Sequence, residues 1–480
     1  MDALGTDQPG TDQPGTDQPG TDQPGTDEPG TDQPGTDEPG TDQPGTDQSG
    51  TDRPGTDRPA GSDALVDRYD AVLLDLDGVL YRATEPIEGA ADAVAELRRR
   101  GVHLAFVTNN SSRTPEKVAE KLRDMGVEAG VEEVVSSAVA TADVLAARGG
   151  GTAYVIGETG IREALREAGL TVLDGDDPGE ADYVVVGVDS DVTYARLRTA
   201  ALLVQRGATL VATNADPSYP APEGVWPGAG ALLAVITTTT GREADDIVGK
   251  PRAPLMHSAL ERSGGSRPLV VGDRLDTDIS GAATVGWDSL LVFTGVSRPA
   301  DLVAAADLPT YAASSLAALF EPPVDIRPAE ADDAVAIAAM LDEASLQANG
   351  VIDRIGETLV AERNRRVVGS ASLELFDGWI AHLRSLVVAP DLRGLQVGTL
   401  LVARTVRLAL DRGASEVDAV TETAAGFFDR MGFERIGTRD ALPAPILSTP
   451  MVALTCSESS VAFRWRPPGA LVAREAPGGA

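Results

Sequence analysis

The sequence predicts two folded domains, one of the α/β class and one of the α+β class, behind a disordered N-terminal tail. Strand-like apolar runs alternate with helical patterns from about residue 66 to 320, as in a parallel α/β sheet. After Glu321-Pro322-Pro323 the order changes to a strand, a helix, a run of strands and a further helix, which predicts an α+β domain. A chain of 480 residues has room for two or three domains of ordinary size.

Residues 1–62 are dominated by a pentapeptide repeat, Gly-Thr-Asp-Gln-Pro. Pro and Gly recur every five residues and apolar side chains are almost absent, so burial cannot offset the entropy lost on ordering. We therefore expect a disordered segment and interpret it as a spacer or solubilising tail in preference to a binding element.

The composition restricts the partners of the chain. A formal net charge of −34 argues against a nucleic acid or an anionic membrane surface. No uncharged run approaches the length of a membrane span, and the N-terminus has neither a basic nor an apolar region of the secretory type. The single cysteine, Cys456, fits a reducing compartment. We expect a cytoplasmic protein, without membrane insertion, that acts on a small molecule; a homo-oligomer stays open.

The first domain is predicted over residues 63–320. Helical patterns such as Ala90–Arg100 separate its strands, and Thr114-Pro115 suits a helix start. There are more strands than one simple sheet needs, so we expect an inserted subdomain. The predicted strands are Ala71–Leu76, His103–Thr108, Ala153–Ile156, Tyr183–Val188, Thr209–Thr213, Ile247–Gly249, Leu269–Gly272 and Leu290–Phe293.

Two carboxylates, Asp75 and Asp77, stand at the carboxyl end of the first strand. At i and i+2 they share a face of the extended chain, and Gly78 lets the backbone turn away after them. Open α/β sheets bind their ligands at this edge. Such a pair can attack a substrate and hold a hard cation such as Mg²⁺. Taken alone, an acidic turn explains the pair as well.

Further segments at strand ends fit the same chemistry. Thr108-Asn109-Asn110 offers a hydroxyl and main-chain N–H groups that can grip phosphoryl oxygens. Lys250 is isolated from the other two lysines, Lys117 and Lys121, and its charge would neutralise a phosphoryl group. A solvated loop lysine is the alternative.

A third further segment, residues 272–278, is rich in acidic residues; it follows the apolar run Leu269-Val270-Val271 and precedes a helix. Asp273 and Asp278 would complete an oxygen cage for Mg²⁺ opposite Asp75. Asp276 instead suits helix capping.

Together these segments resemble the haloacid dehalogenase-like phosphatase superfamily, and in detail its NagD / p-nitrophenylphosphatase-like branch. The branch inserts an α/β cap between the Thr and Lys motifs, which here would span about 147–242. The resemblance implies that the catalytic residues are Asp75 as nucleophile, Asp77 as acid and base, and Thr108, Asn109 and Lys250 as phosphate ligands. It implies Mg²⁺ at Asp75, the Asp77 carbonyl, Asp273 and Asp278.

The resemblance also bears on the substrate. The cap loop with Asn214 and Asp216 would lie near the leaving group. Branch members hydrolyse small phosphomonoesters through an aspartyl-phosphate: glycerol phosphate, phosphoglycolate, pyridoxal phosphate and nucleotides. The chain resembles actinobacterial glycerol-3-phosphate phosphatases with a fused acetyltransferase-like tail, so glycerol 3-phosphate is the first expectation.

The second domain, predicted over 321–445 with an extension over 446–480, resembles the GNAT acetyltransferase family. The segments 385–390 and 393–399 look like its acyl-CoA loop, in which a helix N-terminus binds the pyrophosphate. The resemblance implies acetyl-CoA at Val388, Arg393, Gly394, Gly398 and Thr399.

Two positions of the second domain depart from the GNAT pattern. Gln396 replaces a glycine, and Phe428 replaces a tyrosine that many members use as acid. The domain is therefore interpreted either as an N-acetyltransferase in a bifunctional protein or as a degenerate module that senses acyl-CoA and regulates the phosphatase.

Overall fold

The computed structural model describes residues 64–175, 179–221, 224–347, 350, 352–376 and 379–469. The chain divides into two units, residues 1–57 and 58–480, and every described residue belongs to the second. The predicted disordered tail, residues 1–62, and the last residues of the predicted extension, 470–480, lie outside the described residues.

The first domain alternates strands and helices as predicted. Its strands are β1 (Ala71–Leu74), β2 (Tyr81–Arg82), β3 (Glu85–Pro86), β4 (His103–Thr108), β5 (Val134–Ser136), β6 (Thr152–Ile156), β7 (Thr171–Leu173), β8 (Tyr183–Val186), β9 (Thr209–Ala212), β10 (Ser218–Ala221), β11 (Gly224–Pro227), β12 (Asp246–Ile247), β13 (Pro268–Gly272), β14 (Asp288–Val292) and β15 (Tyr311–Ala313). Its helices are α1 (Ala90–Arg99), α2 (Pro115–Asp124), α3 (Ser137–Ala147), α4 (Thr159–Glu167), α5 (Tyr194–Gln205), α6 (Ala229–Thr240), α7 (Ala253–Ser263), α8 (Ser280–Val285) and α9 (Pro299–Ala304). Single helical turns lie at Leu65–Arg68, Leu275–Ile279 and Leu316–Phe320.

The core sheet has the order β15-β14-β13-β1-β4-β5, and every neighbouring pair is parallel. All four side chains of β1, Ala-Val-Leu-Leu, are buried, because helices cover both faces of a central parallel strand. The strands β13, β1 and β4 are adjacent, so their carboxyl ends share one edge. The predicted catalytic segments follow these three strands.

An inserted subdomain carries a second parallel sheet, with the order β12-β9-β8-β6-β7, and the antiparallel hairpin β10–β11. It corresponds to the expected α/β cap of about 147–242, although its last strand, β12, lies just beyond residue 242. Lys250 follows β12 after two residues. The end of the cap sheet therefore leads straight into the predicted active site.

The second domain is a mixed sheet with the order β16-β17-β18-β19-β20-β22-β21. Only β19 and β20 pair in parallel, and the sheet continues past the predicted domain end at 445 because β22 lies between β20 and β21. Its strands are β16 (Asp325–Pro328), β17 (Thr358–Arg363), β18 (Arg366–Phe376), β19 (Ile380–Val388), β20 (Glu416–Thr421), β21 (Glu434–Thr438) and β22 (Val461–Trp465). Its helices are α10 (Ala334–Glu343), α11 (Val397–Asp411), α12 (Ala425–Arg430), α13 (Ala444–Leu447) and α14 (Pro450–Thr455), with single turns at Ala331–Asp333, Ile352–Glu357, Pro390–Leu392 and Arg439–Ala441.

One hydrophobic cluster contains buried side chains of both domains. Buried Leu302 and Val303 of α9 pack in the same cluster as Leu400 of α11 and Met431 of the second domain. The guanidinium of Arg404 also donates to the carbonyl oxygens of the segment before β15, at 3.1 Å. Among the described helices, none combines the length and the apolarity that crossing a bilayer requires.

Candidate active site

Three carboxylates converge at the carboxyl edge of the core sheet. Asp75 follows β1, Asp273 follows the neighbouring β13, and Asp278 lies in the helical turn after it. One oxygen of each lies within 4.8 Å of the others. Mg²⁺ prefers such all-oxygen sets. The predicted ligand Asp77 is not in this group of carboxylates; the role assigned to its carbonyl stays a prediction.

Lys250 lies between two of these carboxylates. Its Nζ is 2.5 Å from Oδ1 of Asp75 and 2.6 Å from Oδ1 of Asp278, and it also donates to the Val107 carbonyl at 3.3 Å. Burial alone would lower the pKa of Lys250, but Asp278 and Asp75 outweigh burial and raise it well above its usual value. Lys250 is therefore a charged, buried partner of Asp75 and not a solvated loop lysine.

Asp273 is fully buried and only half satisfied. Its Oδ2 accepts a hydrogen bond from the Val296 N–H at 2.6 Å, whereas Oδ1 has no hydrogen-bond partner among the described residues. Burial, with a contribution from Asp278, raises the pKa of Asp273 to about 6. A buried carboxylate oxygen without a donor is costly unless a cation binds it.

Gly78 permits the close approach of the Asp75 loop to Asp273. Its φ of +86° lies in the left-handed region, and a Cβ at this position would collide with the Asp273 carboxylate. The Thr294 hydroxyl donates to the Gly78 carbonyl at 2.5 Å, which holds the turn in place. The glycine after the Asp-x-Asp pair is therefore required by space as well as by conformation.

Asp77 is exposed beside the carboxylate group, where it can exchange protons with a substrate and with water. Crowding of its carboxyl by neighbouring atoms raises its pKa, while Lys121 and the main chain of Ala83 oppose the rise. Lys121 Nζ in turn lies 3.5 Å from the ring centre of Tyr81. A raised pKa suits the acid and base role predicted for Asp77.

The side chain of Asn109 is engaged by the protein itself. Its Oδ1 accepts from the Lys250 N–H at 2.8 Å, and its Nδ2 donates to the Lys250 carbonyl at 3.0 Å and to Asp216 at 3.1 Å. Asn109 thus fixes the main chain at Lys250, and its contact with phosphate stays a prediction. The Thr108 oxygen accepts from the Asn110 N–H at 3.1 Å, which leaves its O–H available to an anion.

The two predicted cap residues differ in position. Asn214 is 2% exposed; it donates to the Asn109 carbonyl at 2.7 Å and accepts from the Asp216 N–H at 3.1 Å, so it supports the loop from inside. Asp216 is half-buried and, after the stronger contribution of Asp276, helps to raise the pKa of Arg274. The substrate contacts predicted for both residues stay predictions.

Several contributors to the site were not predicted from the sequence. The Val296 N–H acts through the main chain and has no side-chain signal. Arg274 lies inside a recognised motif, and its bidentate ion pair with Asp276 is a short-range contact. Lys121 could have been found, because it is one of only three lysines in the chain.

A cavity of about 720 Å³ opens in the second domain. The strands β19 and β20 pair only from Ile380 to Leu383, so the end of β19 separates from its neighbour and forms one wall. The five residues predicted to bind acetyl-CoA all line the cavity: Val388, Arg393, Gly394, Gly398 and Thr399. Binding of acetyl-CoA itself stays a prediction.

Gln396, the residue in place of the expected glycine, has a left-handed φ of +64° at the start of α11. Its Nε2 donates to the Ser314 hydroxyl of the first domain at 3.1 Å, and its Oε1 accepts from Thr399 at 2.9 Å. Its side chain thus ties the loop to the first domain.

Family models match three segments of the chain. Residues 72–171 match haloacid dehalogenase-like hydrolases, residues 247–319 match a HAD-hydrolase-like family, and residues 324–433 match the acetyltransferase (GNAT) family. The segment between the first two matches contains most of the inserted subdomain. The matches agree with the two domains described above.

Several known proteins are similar to this chain. An acid sugar phosphatase of Staphylococcus aureus (strain USA300) is 42% identical over 252 residues, which are 52% of this chain and 96% of that protein. The structure of a glycerol phosphate phosphatase from Mycobacterium tuberculosis in complex with magnesium superposes with a TM-score of 0.60 at 28% identity and covers 77% of this chain and 98% of that one. A 4-nitrophenylphosphatase from Thermotoga maritima gives a TM-score of 0.50 at 32% identity, with 53% and 97% covered.

Proposed function

This chain belongs to the haloacid dehalogenase-like hydrolase family and is a phosphatase. From this premise we propose that it hydrolyses a small phosphomonoester through a phosphoryl ester on Asp75. Glycerol 3-phosphate is the first candidate for the substrate. The observation that carries the proposal is the charge of the site. Three carboxylates face one lysine, and the buried Oδ1 of Asp273 is without a donor among the described residues. A divalent cation and an anionic phosphate would complete this set.

The residues present fit Mg²⁺. Asp75, Asp273 and Asp278 offer only hard oxygen atoms, and burial together with Asp278 raises the pKa of Asp273, a rise that a bound cation would oppose. Asp75, Asp273 and the Asp77 carbonyl would hold the ion, with Asp278 beside them. A bound Mg²⁺ supplies charge that reduces the repulsion between an anionic nucleophile and an anionic phosphate.

The first chemical step belongs to Asp75. Lys250 holds its Oδ1, which leaves Oδ2 to attack the phosphorus while the bond from phosphorus to the substrate oxygen breaks. Asp77, with its raised pKa, gives its proton to the leaving oxygen. The Thr108 hydroxyl and Lys250 bind the phosphoryl oxygens as charge develops on them.

The second step reverses the role of Asp77. As a carboxylate it takes a proton from a water molecule, whose oxygen attacks the phosphorus and displaces Asp75. Inorganic phosphate leaves, and Asp77 is again protonated for the next turnover. The exposed position of Asp77 supports this role, because both the leaving alcohol and the water must reach it.

Glycerol 3-phosphate is favoured by the breadth of one structural likeness. The similarity to the glycerol phosphate phosphatase covers 77% of this chain and therefore extends past the phosphatase domain. The relative named as an acid sugar phosphatase, at 42% identity, makes a sugar phosphate the main competitor. Phosphoglycolate, pyridoxal phosphate and nucleotide monophosphates are further candidates.

The test is phosphate release from this panel of substrates in the presence of Mg²⁺. We expect glycerol 3-phosphate to give the highest kcat/KM. We expect EDTA or Asp75→Asn to lower release by at least about a thousandfold, since EDTA removes the cation that offsets the charge repulsion and Asp75→Asn removes the nucleophile. Asp92→Asn, an exposed acid on α1, is the matched control and should retain activity.

Two outcomes would correct the proposal. Turnover retained in Asp75→Asn would rule out the phosphoryl ester on that residue. A different preferred substrate would leave the chemistry intact and change only the assignment to glycerol 3-phosphate.

For the second domain we propose a binding role without acetyl transfer. Phe428, which stands where many GNAT members have a tyrosine that acts as the acid, is 4% exposed. Its ring packs against Phe433 and Phe463, so an apolar cluster surrounds the position of the expected tyrosine. Incubation with acetyl-CoA and a panel of amines should release no free thiol above the uncatalysed rate. Enzymatic thiol release would instead make the protein bifunctional.

A further inference from the structure

Residues 293–299, here called the bridging loop, border both the carboxylate group of the phosphatase and the cavity of the second domain. Phe293 and Pro299, its two ends, line the cavity, although both belong to the first domain. The cavity is therefore a composite of the two domains.

The middle of the bridging loop holds Asp273. The Val296 N–H donates to Asp273 Oδ2 at 2.6 Å, and the Ser297 hydroxyl accepts from the Leu275 N–H at 3.2 Å. A Cβ at Gly295 would collide with the Asp273 carboxylate, so the loop lies directly against it. A shift of this loop would therefore also move Asp273.

A second contact links the cavity to the same part of the first domain. The Phe293 N–H bonds the Ala313 carbonyl at 3.0 Å, and the next residue, Ser314, donates to the Gly394 carbonyl at 3.3 Å. Ser314 also accepts from the side chain of Gln396. The part of the cavity wall at Gly394 and Gln396 is thus connected by hydrogen bonds, through Ser314 and Ala313, to Phe293 at the start of the bridging loop.

The cavity wall indicates the chemistry of the ligand. Its inner surface is apolar, with Leu386, Phe427 and Met431, whereas Arg393 and Arg430 add two positive charges. An elongated molecule with an apolar chain and an anionic phosphate end matches this distribution. An acyl thioester on a phosphopantetheine arm has both parts.

We propose that such a thioester, bound in the composite cavity, acts on the phosphatase by restraining the bridging loop and so strengthening Mg²⁺ binding at Asp273; this inference rests on the proposed phosphatase function. A ligand packed against Phe293 and Pro299 reduces the freedom of the loop, and the Val296 N–H then holds Asp273 in place for the cation. The two sites are linked thermodynamically, so each ligand strengthens the other by the same factor.

Calorimetry with acetyl-CoA as the probe tests the linkage on the full chain. We expect the Kd of acetyl-CoA to fall about fivefold or more when Mg²⁺ is saturating. The Kd of Mg²⁺, measured in the same way, should fall by the same factor when acetyl-CoA is saturating, and the Mg²⁺ concentration for half-maximal phosphate release should fall in the same direction. An unchanged Kd, or no binding at millimolar acetyl-CoA, would overturn the inference.

Four variants separate the linkage from other effects. In Asp273→Asn the response of acetyl-CoA binding to Mg²⁺ should disappear, which excludes pairing of Mg²⁺ with the ligand's own phosphates. Phe293→Ala should weaken acetyl-CoA binding at least about tenfold, since it removes a wall of the cavity. If Phe293→Ala fails to fold, Ser314→Ala is the smaller change: it removes the hydrogen bond to the Gly394 carbonyl in the cavity wall and should also weaken acetyl-CoA binding. Val335→Ala, at an exposed apolar side chain on α10 of the second domain, is the control and should bind like the parent.

The parent protein is first assayed with Mg²⁺ alone. Absence of phosphate release there would refute the proposed function, whereas release without linkage would refute only the present inference.

Discussion

At Asp273, the effect of a buried charge on stability can be measured separately from its effect on activity. The pKa of Asp273 is about 6 in the folded protein against an ordinary value of 3.8, so the folded state holds more protons than the unfolded state between these two pH values. Without a divalent cation, the contribution of Asp273 to stability is therefore lost as pH rises through this window. Asp273→Asn removes the penalty and should abolish activity.

We expect Asp273→Asn in EDTA to be more stable than the parent by on the order of 1–3 kcal/mol near pH 7.5 and equal to it near pH 4. Denaturant unfolding of both proteins across this pH range measures the difference. Addition of Mg²⁺ should stabilise only the parent. A difference that does not vary with pH would contradict the buried, uncompensated carboxylate.

Lys250 offers a second prediction at the scale of one side chain. Lys250→Met leaves the Asp75 and Asp278 carboxylates without their positively charged partner and removes the proposed phosphate ligand, so kcat/KM should fall by at least about a hundredfold. Lys117→Met is the matched control, because that side chain is 68% exposed and pairs only with Glu120 on the helix surface. Equal activity of the two variants would remove Lys250 from the mechanism.

Individual residues were predictable where the chemistry lies in a short segment after a strand. Asp75, Lys250 and Asp273 were identified on this basis, and the structure brings them together. The contacts of Asn109 were not predictable, because its partner Lys250 lies 141 positions further along the chain. A local pattern indicates what a side chain can do and does not indicate which distant group it meets.

At the scale of elements, the turn after β1 is the most constrained. Gly78→Ala places a methyl group in the left-handed region and against the Asp273 carboxylate. Gly286→Ala is the matched control, since its φ of +72° is similar and nothing lies within 4 Å of the added carbon. Both variants should lose about 1 kcal/mol of stability from the backbone. Only Gly78→Ala should also lose activity, by at least about tenfold, with a raised Mg²⁺ requirement in the phosphate-release assay.

Activity in Gly78→Ala equal to that in Gly286→Ala would mean that Asp273 can move away at little cost. The close approach of the two loops would then not be required for catalysis.

The long elements were predictable and the short edge strands were not. The strand His103–Thr108 has the predicted bounds, and α2 begins at Pro115, the position expected from its fixed φ. The three-residue strands Val134–Ser136 and Tyr311–Ala313 were missed, because three residues carry too little pattern to distinguish a strand from a loop. Both lie at the edges of the core sheet.

At the scale of the whole molecule, the shared core makes the phosphatase domain dependent on the second domain. A chain that ends at residue 320 would expose the apolar side chains of α9, including Leu302 and Val303. We expect this truncation to lower Tm by more than about 10 °C and to promote aggregation. Differential scanning calorimetry of the two proteins provides the measurement. A Tm within about 2 °C of the full chain would show that the domains are energetically independent.

The order of the domains was predictable from the change of pattern at Glu321-Pro322-Pro323. Their common core was not, because periodicity identifies the buried face of a helix such as α9 and not the element that covers it. The same limit applies to the composite cavity, whose walls come from segments about a hundred residues apart in sequence.

Lys250 follows the last strand of the cap, yet its main chain is bonded on both sides to Asn109 of the core. The Gly249 N–H is bonded to the Thr213 carbonyl of the cap, so a hinge between Gly249 and Lys250 would let the cap swing away from Asn109 at Asp216 and Asn214 while Lys250 stays fixed. Hydrogen exchange should then be slow at the Lys250 amide and faster at the Gly160 amide, whose bond to the Ser112 carbonyl crosses from the cap to the core; equal rates would place the hinge elsewhere. Substrate could enter and phosphate could leave through such an opening while the nucleophile keeps its counter-charge throughout the cycle.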